Sequence, residues 1–254
     1  MTNGELFDST IPVGEPELLK ASAYRRYLEE LDSNPSLNGA LGGRASQLST
    51  SLLADLGRVD PRHGDSDAVE VIAACIRHSS QVTIFMQCGE RVVPLTVFPQ
   101  ERLVHCPMDV KELVDRHLPA LRVMNLEPAT LRPPGDSQRE LIGAERMHYP
   151  LTPLLWALAM RGPRRELLPE IAGPAVYRVS PTLETASLAA GGAMNAAVER
   201  LRLQATSLSG IASWPAFNRE RATRLLNALY LQAGLIVSRS HPDAVRDSWF
   251  SPKS

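Results

Sequence analysis

Between residues 81 and 106 apolar and polar side chains alternate with a period of two, in three short runs with tight breaks between them. The runs are 81–87, 91–98 and 102–106, and the breaks are Cys88-Gly89-Glu90 and Pro99-Gln100-Glu101. A period of two puts successive side chains on opposite faces of a strand, and such short polar breaks fit turns. The pattern therefore predicts an antiparallel meander. Pro94 falls inside the second run, where it removes a ladder donor, so a bulge or an unpaired edge is expected there.

Helical periodicity surrounds this meander. An apolar helix over 68–77 precedes it, and a helix over 109–118 and a short strand over 121–125 follow, giving an αβββαβ unit over 61–135. The Arg132-Pro133-Pro134-Gly135-Asp136 stretch is the expected linker at its end. Residues 1–60 read as a helical N-terminal segment. Leu18, Leu19, Tyr24, Tyr27, Leu28 and Leu31 make one amphipathic face, and Leu48, Leu52, Leu53 and Leu56 make another, with Gly57 as its cap. Residues 136–254 read as a helical region, mostly helical over 141–160 with a break at Pro150, then a strand over 175–180. The fold class expected is α+β.

The C-terminal end is the most regular part of this region. Met194, Ala197, Val198, Leu201 and Leu203 mark one helix, and Ser207 is placed to cap a short helix over 208–213. After the Trp214-Pro215-Ala216-Phe217 turn, Asn218 caps a long helix, and Gly234 is expected to end it in a left-handed conformation before a strand over 235–239. The string Ser207-Leu208-x-x-Ile211-Ala212, then Arg221-x-x-Arg224-Leu225-Leu226-x-x-Leu229, then Gly234-Leu235-Ile236-Val237 resembles the helix-turn-helix and first wing strand of winged-helix domains. The resemblance covers about residues 188–240. It implies a DNA-reading surface on the long helix, with Arg219, Arg221, Arg224 and Asn227 facing outward. Two features depart from the family: the turn is longer and more apolar, and His241-Pro242 stands where a basic wing hairpin would follow.

Charge argues against nucleic acid as the main partner. The 254 residues carry a formal net charge of −1, with an excess of four positive charges over 163–254 and of five negative charges over 1–162. Binding to a phosphate backbone draws on a broader basic surface. Of 27 basic residues only Lys20, Lys111 and Lys253 are lysine, a bias that points to a GC-rich bacterial genome. Cys75, Cys88 and Cys106 form no Cys-x-x-Cys pair, which fits a reducing cytoplasm. Neither a leader signal nor a membrane-spanning run is expected.

Reactive side chains cluster in Asp60-Pro61-Arg62-His63-Gly64-Asp65-Ser66-Asp67. His63, Asp65 and Asp67 could serve a hydrolase or a metal enzyme. The favoured reading is a turn in which Asp65 or Ser66 caps the next helix while Asp67 and Glu70 complement its dipole. Glu145-x-x-His148 has the spacing of a helical metal half-site, yet occurs once. Cys88, His105 and Cys106 lack zinc-site spacing, and His105 and Cys106 should point to opposite faces of a strand. The Walker, Gly-x-Gly-x-x-Gly, Gly-x-Ser-x-Gly and His-Glu-x-x-His motifs are all missing, and Gly64-Asp65-Ser66 and Gly135-Asp136-Ser137, which match a serine-esterase start, have no later Asp-x-x-His. No cofactor or metal is expected. The sequence thus favours a non-enzymatic regulatory or adaptor protein with a protein partner, and homodimerisation is compatible with its apolar Trp214, Phe217, Trp249 and Phe250. A DNA-binding regulator is the alternative, and an enzyme centred on His63 ranks third.

Overall fold

The three alternating runs become strands β1 (Val82–Cys88), β2 (Arg91–Phe98) and β3 (Leu103–His105), each antiparallel to the next. They belong to a computed structural model that describes residues 18–33, 48–56, 67–184 and 191–240. β4 (Arg122–Pro128) pairs with the free side of β1, and β5 (His148–Pro150) with that of β3, giving a five-stranded antiparallel sheet in the order β4-β1-β2-β3-β5. Pro94 lies opposite Phe85 of β1 without a bulge between the two strands. The Val92 N–H points away from β1, to the Leu19 carbonyl at 2.8 Å. Two residues on, the donor that Pro94 lacks points the same way, beside a stretch that β3 does not reach, since β3 pairs only with Thr96 to Phe98.

Alternation sorts the two faces of this sheet. Ile84, Met86, Val93, Leu95, Val97 and Val104 are buried in one apolar core with helices α3 (Ala68–Arg77) and α4 (Leu151–Arg161). On the other face α1 (Ala21–Ser33) sits over β1 and β2. Tyr24 stacks on Phe85 with ring centroids 5.2 Å apart, and its hydroxyl accepts a hydrogen bond from Asn125 Nδ2. Burial drives the Tyr24 phenol well above its ordinary pKa. Leu19 and Tyr27, expected on the packed face of this helix, are exposed. In α2 (Thr50–Leu56), Leu52 and Leu56 are buried and Leu53 is not, while Gly57 lies outside the described residues.

Two helical expectations change. The segment after β3 is capped by Asp109 and runs as α-helix over Val110–Glu112, as π-helix over Leu113–His117 and as 3-10 helix over Leu118–Ala120. Residues 141–150 are not mostly helical. They hold a 3-10 turn, Glu145–Met147, and then β5, because the backbone of this stretch is drawn to β3: Met147 O accepts from Cys106 N, and Gly143 takes a left-handed turn at φ 73. Glu145 and His148 therefore do not share a helix. The Arg132–Asp136 stretch does not separate two sheets either, since β5 lies beyond it in the first sheet.

The C-terminal part carries β6 (Val176–Val179), α5 (Ala193–Leu203), β7 (Thr206–Ser207), α6 (Leu208–Ala212), α7 (Arg219–Leu231) and β8 (Leu235–Ser238). Its antiparallel sheet has the order β7-β6-β8. Ser207 and Asn218 cap α6 and α7 as expected, accepting from Gly210 N and Arg221 N. Met194, Ala197, Val198 and Leu201 are buried, whereas Leu203 is 85% exposed. The end of α7 differs from expectation. Ala233, at φ 56, takes the left-handed position, with Ala233 N bonded to Tyr230 O and Gly234 N to Leu229 O. Gly234 is required for space, since a Cβ there would lie 2.6 Å from Leu183 Cδ2. One contiguous core joins the inner face of the large sheet, α2 to α7 and the small sheet. The class is α+β.

Candidate functional site

Helix α7 is packed on more than one side, and this decides the fate of its polar residues. Its apolar stripe, Ala222, Leu225, Leu226 and Leu229, is buried, and so are Thr223 and Asn227 on a neighbouring stripe. Asn227 is 1% exposed; its Oδ1 accepts from Leu168 N and its Nδ2 donates to Glu166 O, both at 2.9 Å. The Arg224 guanidinium donates to the carbonyls of Ala159 and Gly162 at the end of α4, and to Glu220 at 3.1 Å. The expected outward face is thus corrected for Arg224 and Asn227, which tie α7 to α4 and to the loop after it. Arg219 does face solvent. Arg221 is half-buried, donating to Ala216 O at 2.9 Å with its guanidinium 5.5 Å from the centre of the Phe217 ring.

His63 and Asp65 lie outside the described residues. Asp67, the third member of that cluster, is itself the cap of α3. Its Oδ1 accepts from Val69 N at 2.9 Å and its Oδ2 from Arg164 at 2.8 Å, so both oxygens are engaged. Arg164 also reaches Glu70 at 3.0 Å and the Leu167 and Glu166 carbonyls. Among the described residues no group of three or more His, Cys, Asp or Glu is arranged to hold a metal ion. The three thiols are free and buried, and burial pushes Cys88 up to about 11 and Cys106 up to about 12, away from nucleophilic thiolate chemistry.

Two groupings escaped the sequence pattern. Thr83, Thr96, His105 and His148 form a cross-strand row on the α1 side of the sheet, with the two imidazoles 4.9 Å apart and edge-on. Burial, with His148 adjoining, lowers His105 to about 4, so it stays neutral near pH 7. Asp55 and His78 meet at 2.6 Å, and the hydrogen bond from His78, then Arg77, holds the Asp55 carboxyl below its ordinary pKa. Arg77 also pairs with Glu170, so this is an ion network joining α2, α3 and the loop after α4. Neither grouping was legible in the sequence, because the partners are brought together by strand pairing and by packing between elements rather than by local spacing.

A concavity with mixed chemistry lies between α4, α5 and α7. It is an open groove of about 800 Å³. Its floor is apolar: Pro153, Trp156, Ala157 and Met160 from α4, Met194 from α5, and Val114. Arg161, Arg221 and Arg224 stand on its rim with Glu220. Asn218, by capping α7 from this rim, sets the direction in which Glu220 and Arg221 leave the helix. No family model, no curated protein and no solved structure matches this chain. Among the described residues no helix is long and apolar enough to cross a membrane.

Proposed function

We propose that this chain is a non-enzymatic regulatory or adaptor protein that acts by binding another protein, with the groove between α4, α5 and α7 as its contact face. The groove itself supports the reading. Interfaces draw their energy from aromatic, Met and Arg side chains at recessed positions, and Trp156, Met160, Met194, Arg161 and Arg221 line this one. Two methionines give the floor an adaptable shape. The candidate catalytic groups, in contrast, are engaged in caps and ion pairs wherever they are described. The unpaired cysteines fit a cytosolic setting.

In this reading the segment from α5 to β8 is a winged-helix relative used as a scaffold. β6, which precedes the helices in the chain, is the strand paired between β7 and β8. The second reading, DNA binding, draws on Arg219 and Arg221 at the outward start of α7; it loses Arg224 and Asn227, whose polar atoms are bonded within the protein. Capture from a bacterial lysate, with and without nuclease, separates the two using the intact chain and a Met160→Glu variant of unchanged melting temperature. Under the adaptor reading, a protein partner survives nuclease and is lost with Met160→Glu. Capture that depends on DNA and is indifferent to Met160→Glu would favour the second reading.

A further inference from the structure

We infer that the occupant of the groove is an acidic amphipathic helix of a partner protein, an inference that rests on the adaptor reading above. The shape of the floor comes first. Pro153, Trp156, Ala157 and Met160 repeat at spacings of three, four and seven along α4, a stripe about two helical turns long flanked by Met194 and Val114. A trough of this kind is complementary to a helix that lays its own i, i+3, i+4 and i+7 apolar residues into it.

Charge sets the sign of the partner. Arg161, Arg165, Arg219, Arg221 and Arg224 stand on or beside the rim, against the carboxylates of Asp115 and Glu220. Arg224 is held by Glu220 at 3.1 Å and by two carbonyls, whereas two other pairs at the rim are long and exposed: Arg161 to Asp115 at 3.6 Å and Arg165 to Glu220 at 3.8 Å. Exposed pairs of that length contribute little, so their arginines are free to turn to carboxylates of a partner. The positive end of the α7 dipole adds the same sign at the same rim.

The groove fits other anionic partners less well. A single strand of nucleic acid stacks its bases on exposed rings, and Trp156 is only 5% exposed, while Glu220 stands among the arginines where phosphates would pass. An anionic membrane takes up protruding apolar side chains, and here they are recessed between helices.

The test uses the full chain and three labelled 18-residue probes followed by fluorescence anisotropy. One is a Leu/Glu amphipathic helix, the second carries Lys in place of Glu, and the third has the Leu/Glu composition scrambled. The Leu/Glu helix should bind in the micromolar range, and its affinity should fall about tenfold or more in an Arg161→Glu, Arg221→Glu double variant, and also as salt is raised. Arg161 is exposed and Arg221 half-buried, and circular dichroism checks that the variant remains folded. Met160→Glu should abolish binding without touching the arginines. Equal binding of the Leu/Lys or the scrambled probe, or indifference to the charge reversal, would overturn the acidic-helix assignment. So would tighter binding of the full chain to vesicles of anionic phospholipid, or to single-stranded DNA, than to the Leu/Glu helix. If the probes fail while lysate capture of a protein is still lost with Met160→Glu, the adaptor reading stands and only the partner chemistry is wrong. Loss of both removes the two together.

Discussion

Helices α3 and α7 begin alike and end up in opposite circumstances. Each starts from a side-chain cap, Asp67 or Asn218, and each has a glutamate in its first turn, Glu70 or Glu220. Over α3 the start is closed: Arg164, 12% exposed, spans Asp67 and Glu70 and donates to two carbonyls of its own loop. Over α7 the start is open, and Glu220 and Arg221 stand at the rim of a groove with an apolar floor. The same local chemistry thus serves stability in one place and leaves a surface for recognition in the other. What differs is whether a distant segment folds back over the helix end.

The largest effect should come from opening the closed end. Arg164→Ala leaves two partly buried carboxylates without their cation, and about 3 to 5 kcal/mol of stability should be lost. A urea titration reads this directly as a lower midpoint. A loss under ~1 kcal/mol would mean that solvent already reaches the α3 start, and the contrast with α7 would disappear.

The contrast also explains what the sequence made legible. The strands of the meander could be read because their alternation records one buried face, and the caps Ser207 and Asn218 because they act on backbone within three residues. Arg224 and Asn227 were misread because the same spacing that puts a polar residue off the apolar stripe of α7 also puts it on a stripe facing α4 and the 166–168 loop. β5 was hidden because His148-Tyr149-Pro150 has no alternation and is a strand only through its pairing with β3. The groove could not be foreseen at all: its floor and rim come from Val114, α4, α5 and α7, far apart in the chain.

A second shut-in polar group sharpens the comparison by its response to pH. His105 has a folded pKa of about 4 against an ordinary value of 6.5, so the unfolded chain binds a proton more readily. Its contribution is complete above pH 6.5 and is lost as the pH falls toward 4, by roughly 3 kcal/mol across that window. His105→Leu should flatten the stability curve between pH 6.5 and 4. An unchanged slope would show that water reaches the imidazole despite its place under the 129–147 loop.

At the other end of α7, neighbouring residues should respond with opposite signs. Gly234→Ala drives a methyl into Leu183, and a loss of about 1 to 3 kcal/mol is expected from the displaced side chain. Ala233→Gly relieves a left-handed alanine and should be neutral to stabilising by up to ~1 kcal/mol. Thermal melts of the two variants decide the matter, and a destabilised Ala233→Gly together with a neutral Gly234→Ala would mean that the left-handed turn sits one residue later.

The smallest effect is the most informative about the groove. Arg161 is half exposed, and its ion pair with Asp115 is long. Arg161→Ala should therefore change stability by less than about 0.5 kcal/mol. A residue that contributes so little to folding, beside a tryptophan and two methionines that do pack, has the profile of a recognition side chain. Its worth should appear only when a partner is present. Should Arg161→Ala instead cost as much as Arg164→Ala, the open end of α7 is as closed as that of α3, and the rim arginines are structural cations holding α4 to its neighbours.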